Sequence, residues 1–171
     1  MAITIATGEA LTGDGNELAH IDLLIGSKNG PVGNAFASAF TTESNGHTNL
    51  MAVVTPNLPC KPDTVITNKV DIAGARQAVQ LFGPAQAAVA RAVVDSVKEG
   101  VIAKGDVDDL CIIVSVFIQW DAEDDKKIFD YNYQAVKESI ARALGNEPTV
   151  DAVINDSATA RHPFAGGADE S

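Results

Sequence analysis

The chain has 171 residues, and its 12 lysines and arginines against 23 aspartates and glutamates give a formal net charge of −11. Such acidity argues against nucleic acid and anionic membrane surfaces as partners. With 46% hydrophobic and 20% charged residues, the composition is that of one folded domain with a sizeable core, not of a disordered chain.

Ile3 to Leu11 is predicted as a first strand. No basic segment precedes it, so no secretory signal is expected. Gly13-Asp14-Gly15-Asn16 forms a turn tolerant of positive φ. Leu18 to Ile25 alternates as a strand does. Ala19, Ile21, Leu23 and Ile25 make an apolar face, and Leu18, His20, Asp22 and Leu24 make the other. His20 and Asp22 therefore point the same way, off the face best suited to a core.

Pro31 suits a first helical turn, and a helix is predicted to about Thr42. A strand from Thr48 to Thr55 leads into Thr55–Pro62, whose prolines at 56, 59 and 62 exclude a central strand. A strand from Thr64 to Ile72 would put Val65, Thr67, Lys69 and Asp71 on one face. Gly74 to Leu81 is predicted as a short helix stopped by Phe82-Gly83-Pro84. Pro84 then opens a second helix, with Ala85, Ala88, Val89, Ala92, Val93 and Val97 as its stripe and Gly100 at its end.

Leu110 to Gln119 reads as a buried strand. Its apolar run is broken by Ser115 and is too short to span a bilayer. The last helix opens in the carboxylates Asp121 to Asp125 and runs to Leu144, with Ile128, Val136, Ile140, Ala143 and Leu144 as its stripe. Residues from about 146 to 171 are expected to form a polar tail on the surface or against a neighbouring subunit. The order β-β-α-β-β-α-α-β-α contains two strand pairs with no helix between them. It predicts a single α+β domain, a two-layer structure with a mixed sheet and helices on one face.

Chemistry is sparse in this pattern. There is no Walker motif, no GxGxxG and no HExxH. His20, His47 and His162 provide no pair with metal-ligand spacing on one element. His20-x-Asp22 reads either as two ligands on a strand face or as a locally bonded polar pair. Lys69 and Asp71 read as a surface ion pair of little worth. The acidic run at 121–125 lacks the alternation and glycine of a calcium loop. Cys111 is expected to be an inert core thiol. Cys60, in an exposed-looking loop beside Lys61, makes a weak nucleophile with no histidine near it in sequence. Two cysteines without a CxxC exclude a zinc ribbon and a disulfide scaffold, and point to a reducing cytoplasm.

Several stretches carry more than their periodicity. They are Gly8-Glu9-Ala10-Leu11, Gly13-Asp14-Gly15-Asn16-Glu17, Ala19-His20-Ile21-Asp22-Leu23, Pro56-Asn57-Leu58-Pro59-Cys60-Lys61-Pro62 and Asn68-Lys69-Val70. Further on come Ala75-Arg76-Gln77-Ala78-Val79-Gln80, Phe82-Gly83-Pro84-Ala85-Gln86, Val116-Phe117-Ile118 before Trp120, Tyr131-Asn132-Tyr133 and His162-Pro163-Phe164. Collinear from about residue 8 to residue 164, they resemble the formaldehyde-activating enzyme family.

That resemblance implies a hydro-lyase that condenses formaldehyde with tetrahydromethanopterin to methylene-tetrahydromethanopterin and water, in one-carbon metabolism and formaldehyde detoxification in the cytoplasm. It implies a fold similar to ribosomal protein S5 domain 2 and a homopentamer with pterin sites between subunits. No metal and no bound cofactor are needed, and tetrahydromethanopterin is a co-substrate. The family's acid falls on His20, and its pterin contacts fall on Asp22, Met51, Lys69, Asp71 and Gln86.

Four positions depart from the family pattern. Met51 stands for the usual leucine, Asp71 for threonine, His47 for an aromatic residue, and Gln119 for the histidine before the tryptophan. Asp71 is expected to pair with Lys69 and weaken its grip on the pterin. The alternative is then a non-catalytic paralogue that binds a pterin, a folate or formaldehyde as carrier or sensor. A purely structural oligomer is the third reading.

Overall fold

In the computed structural model, which describes residues 3–42 and 44–161, the alternation at residues 18–25 becomes β2 (Ala19–Ser27). Ala19, Ile21, Leu23 and Ile25 are buried on one face. β2 is flanked by β1 (Ala6–Thr12) and β7 (Leu110–Val116), and β6 (Asp63–Asn68) and β3 (Leu50–Met51) complete a sheet of order β1-β2-β7-β6-β3. Every pairing is antiparallel except β6 with β7, so the sheet is mixed, as predicted. The parallel pair needs a long crossover, and α2 (Ala75–Gln80) and α3 (Gln86–Lys98) provide it.

α3 and α4 (Asp125–Gly145) cover the apolar face. Ile21, Ile25, Ile66, Ile112 and Val114 from the sheet pack with Val89, Val93, Val136 and Ile140 from the helices. Each such fully buried aliphatic side chain is worth about 1.5–3 kcal/mol relative to exposure. Asp124 caps α4, its Oδ1 accepting from the amides of Lys126 at 3.0 Å and Lys127 at 3.1 Å, and Asn146 ends the helix in the left-handed region with φ 55°.

The helices are not all on one face. α1 (Pro31–Thr41) lies across the opposite side, at the end of β2 nearest Ser27. A Cβ on Gly26 would stand 2.8 Å from the Val32 side chain, so glycine there lets the helix approach. Val32, Val65 and Cys111 are buried outside the main core cluster, as a small second core under α1. Among the described residues no helix is recorded over the rest of that sheet face, and the expectation of helices on one face is corrected accordingly.

Other boundaries also shift. The predicted strand 48–55 divides at Ala52. β3 joins the main sheet, and β4 (Val53–Thr55) makes a small hairpin with β5 (Leu58–Pro59). The strand predicted to Ile72 ends at Asn68. Phe82-Gly83-Pro84 does not stop the helix. A π-helical turn over Leu81–Ala85 absorbs Pro84 and carries α2 straight into α3. Gly100 does end α3, with φ 80°. The tail contains a helix that periodicity did not suggest, α5 (Val150–Ser157), capped by the Thr149 hydroxyl and exposed throughout its apolar residues Val150, Val153 and Ile154. Among the described residues no helix is long and apolar enough to cross a membrane.

Candidate active site

The uncovered sheet face collects the polar side chains. Register places Glu9 of β1 opposite Asp22 of β2, Asp22 opposite Ser115 of β7, and Ser115 opposite Thr67 of β6. Four strands thus contribute one polar row, and the Thr67 and Ser115 hydroxyls share a 2.8 Å hydrogen bond within it. His20 stands two residues before Asp22 on the same face. Lys69 follows the end of β6, where its amide donates to Val116 O at 2.9 Å and extends the ladder by one rung.

The side chains converge on His20. Its Nε2 lies 3.0 Å from Glu9 Oε1 and 3.8 Å from Asp22 Oδ1. Its Nδ1 lies 3.3 Å from Lys69 Nζ, and that ammonium also pairs with Asp22 Oδ2. Lys69 is the most enclosed member, with a side chain only 19% exposed, whereas Asp22 and Glu9 stay more than half open. A cleft of about 430 Å³ lined by Leu11, Leu18, Phe117 and Gln119 opens on one side of His20. A hollow of about 410 Å³ lies at the Asp22 end, walled by Thr7, Leu24, Ile113 and Pro148. The arrangement can exchange a proton at the imidazole beside a lysine–aspartate pair, next to room for a small organic molecule.

Three of the six sequence-selected residues come together: His20, Asp22 and Lys69. Met51 pairs with Val65 on the same sheet face, one strand beyond the polar row. Gln86 lies on the helical side of the sheet, where its Oε1 accepts from the Val53 amide at 2.6 Å. Asp71 is not paired with Lys69. Because β6 ends at Asn68, Asp71 sits in the following loop, and its carboxylate lies 3.1 Å from His47 Nδ1. The expectation that Asp71 would restrain Lys69 is therefore corrected. Two of the departures from the family pattern, His47 and Asp71, turn out to be partners.

Cys60 is not exposed. It is 1% accessible, and burial pushes its thiol up to about 11, so it is no nucleophile. Cys111 is buried and its thiol is likewise raised by burial. His162-Pro163-Phe164 lies outside the described residues. Sequence reading gave no role to Glu9, Thr67 or Ser115. Glu9 could have been found by extending the strand alternation into β1, which puts Thr7, Glu9 and Leu11 on one face.

A larger groove, about 590 Å³, runs between α3 and α4 past Arg91, Asp95, Lys98, Phe129 and Tyr133. It is a poorer candidate, because its charges already satisfy one another. Arg91 Nε at 2.7 Å, Lys98 Nζ at 3.2 Å and the Tyr133 hydroxyl at 3.1 Å all donate to Asp95. The Arg91 hydrogen bond leads in holding that carboxyl below its ordinary range. Among the described residues no group of three or more histidines, cysteines or carboxylates could hold a metal ion.

The chain is 52% identical to the 5,6,7,8-tetrahydromethanopterin hydro-lyase of Methanosarcina barkeri over 158 residues, 92% of this chain and 89% of that protein. It is 54% identical to a bifunctional enzyme Fae/Hps of the same organism, and 55% identical to one from Methanocella arvoryzae, over 93% of this chain in each case. It spans only 41% and 40% of those two longer relatives. The sequence model of the formaldehyde-activating enzyme family matches residues 7–165, a span that includes Glu9, His20, Asp22 and Lys69, and the chain belongs to that family.

Proposed function

We propose that the protein condenses formaldehyde with tetrahydromethanopterin to methylene-tetrahydromethanopterin and water, as a hydro-lyase. The observation that carries this reading is the meeting of His20, Lys69 and Asp22 on an open sheet face in a chain of this family. A ring amine of the pterin adds to formaldehyde and gives a carbinolamine. Hydroxide leaves poorly, so an acid must protonate the departing oxygen. The amine lone pair then forms an iminium as the C–O bond breaks and water departs. The second ring nitrogen closes on that carbon and loses its proton, which restores the acid. Histidine titrates near neutrality and suits both proton steps, and holding two reactants together adds to the gain.

His20 is the acid in this reading. Asp22, Lys69, Met51, Asp71 and Gln86 are its pterin contacts. Asp71 reaches the ligand from a loop fastened to His47. Gln86 lies across the sheet from His20 in a single chain, which supports a ring-like homopentamer with each site between two subunits. The tail from about residue 146 would then lie on the surface or against a neighbour, with the apolar stripe of α5 available for contact. The mixed sheet with α3 and α4 on one face supports a likeness to ribosomal protein S5 domain 2. Two free, buried cysteines suit a cytoplasmic setting. The carrier-or-sensor reading rested on Asp71 beside Lys69, and it loses that support.

The test is a spectroscopic assay of formaldehyde with tetrahydromethanopterin, with and without the protein, run beside tetrahydrofolate. Acceleration with the methanopterin is expected. A folded protein that binds the pterin and leaves the rate at background would return the non-catalytic reading.

A further inference from the structure

We infer that Glu9 is a positioning residue that fixes which nitrogen of His20 handles the proton. The inference rests on the reaction proposed above and adds a residue to it. Glu9 Oε1 lies 3.0 Å from Nε2, and an ionised carboxylate can only accept, so Nε2 carries the hydrogen. Lys69 Nζ lies 3.3 Å from Nδ1, and an ammonium can only donate, so Nδ1 carries the lone pair. Two partners on opposite sides of the ring, one from β1 and one from the segment after β6, demand the same tautomer. A preference dictated twice is stronger than either contact alone, because reversing it breaks both hydrogen bonds.

The consequence is directional. Nε2 is committed to Glu9 at the sheet edge, so the transferable proton enters and leaves at Nδ1, on the Lys69 side of the ring. With Nδ1 protonated, the step balances simply. The proton passes to the carbinolamine oxygen, the C–O bond breaks with release of water, and His20 returns to the neutral form that still bonds Glu9. The proton released at ring closure reloads Nδ1.

Glu9 is itself held in place. Arg142 of α4 reaches round the sheet edge, its Nη1 donating to Glu9 O at 2.6 Å and lying 3.9 Å from Glu9 Oε2. The charged groups around the imidazole are Glu9 from β1, Asp22 from its own strand, Lys69 from beyond β6, and Arg142 behind Glu9. Opposite Asp22, β7 offers only the uncharged Ser115.

The experiment combines steady-state kinetics with 15N NMR of the histidine side chains. Glu9→Ala, at a half-open edge position, is expected to lower kcat about 10–100-fold, by analogy with the carboxylates that orient metal-bound histidines. KM for the pterin should stay within about twofold, because Asp22 and Lys69 remain. Glu9→Gln keeps an acceptor for Nε2 and should recover most of the loss. In the wild type the His20 resonances should report hydrogen on Nε2, and Glu9→Ala should give a tautomer mixture. Unchanged kcat in Glu9→Ala, or an unchanged His20 tautomer, overturns the inference. If the wild type shows no turnover, the proposed reaction fails, and the nitrogen spectra still decide whether Glu9 sets the tautomer.

Discussion

Asp71 shows how much one hydrogen-bond partner changes an argument. Alternation carried four residues too far places it beside Lys69, whereas the strand ends at Asn68 and Asp71 turns to His47. Its side chain is 78% exposed, and exposed ion pairs contribute at most about 1 kcal/mol. Asp71→Thr is therefore expected to cost no more than that in stability and, because threonine is the family's usual residue at this proposed pterin contact, to leave turnover nearly unchanged, as denaturant titration and steady-state assays would show. A large gain in activity would mean that Asp71 restrains Lys69 after all. The pairing of His20 with Asp22 on one face was legible, because the two-residue period of a strand is written in the sequence. The reach of Glu9 and Lys69 to the same imidazole was not, because strand order and register are properties of the folded sheet.

Among the elements, strong periodicity located β2, α3, β7 and α4, and failed where short-range signals compete. Proline after glycine reads as a helix stop at Pro84, yet buried contacts on both sides of the π-turn keep the helix continuous. Gln80, just before that turn, is 2% exposed and donates to Ala122 O at 2.8 Å. Gln80→Leu strands that carbonyl, at a cost of about 1–3 kcal/mol. Thermal unfolding should show a Tm lower by about 2–4 °C per kcal/mol for a chain of this size, and an unchanged Tm would show that the bond contributes nothing.

Asp63 at the start of β6 ties the turn after β2 to the sheet, with Lys28 Nζ at 2.7 Å and Lys61 Nζ at 3.2 Å. Partial burial raises its carboxyl, but the two lysine hydrogen bonds outweigh that and hold it below its ordinary range. A depressed folded-state value means the contribution is present above the ordinary carboxylate range. It is lost as pH falls through the folded value. Acid titration of stability should therefore fall less steeply in Asp63→Asn than in the wild type.

At the scale of the whole molecule, the proposed pentamer would bring the remaining residues into play. In one chain Gln86 and His20 occupy opposite sides of the sheet, so a ligand contacting both needs a second subunit. In the sequence an intersubunit site is implied only by the resemblance, since a side chain's place in an assembly leaves no periodicity. Light scattering is expected to give a mass near five times the 17.8 kDa chain. A monomer at micromolar concentration would contradict an intersubunit site. The most direct test of the account is the turnover of His20→Ala with formaldehyde and tetrahydromethanopterin, with pterin binding followed by calorimetry. The account predicts a fall in kcat of about 10²–10⁴-fold, typical of losing a positioned acid, with binding held by Asp22 and Lys69 nearly intact. Wild-type turnover in His20→Ala would contradict it.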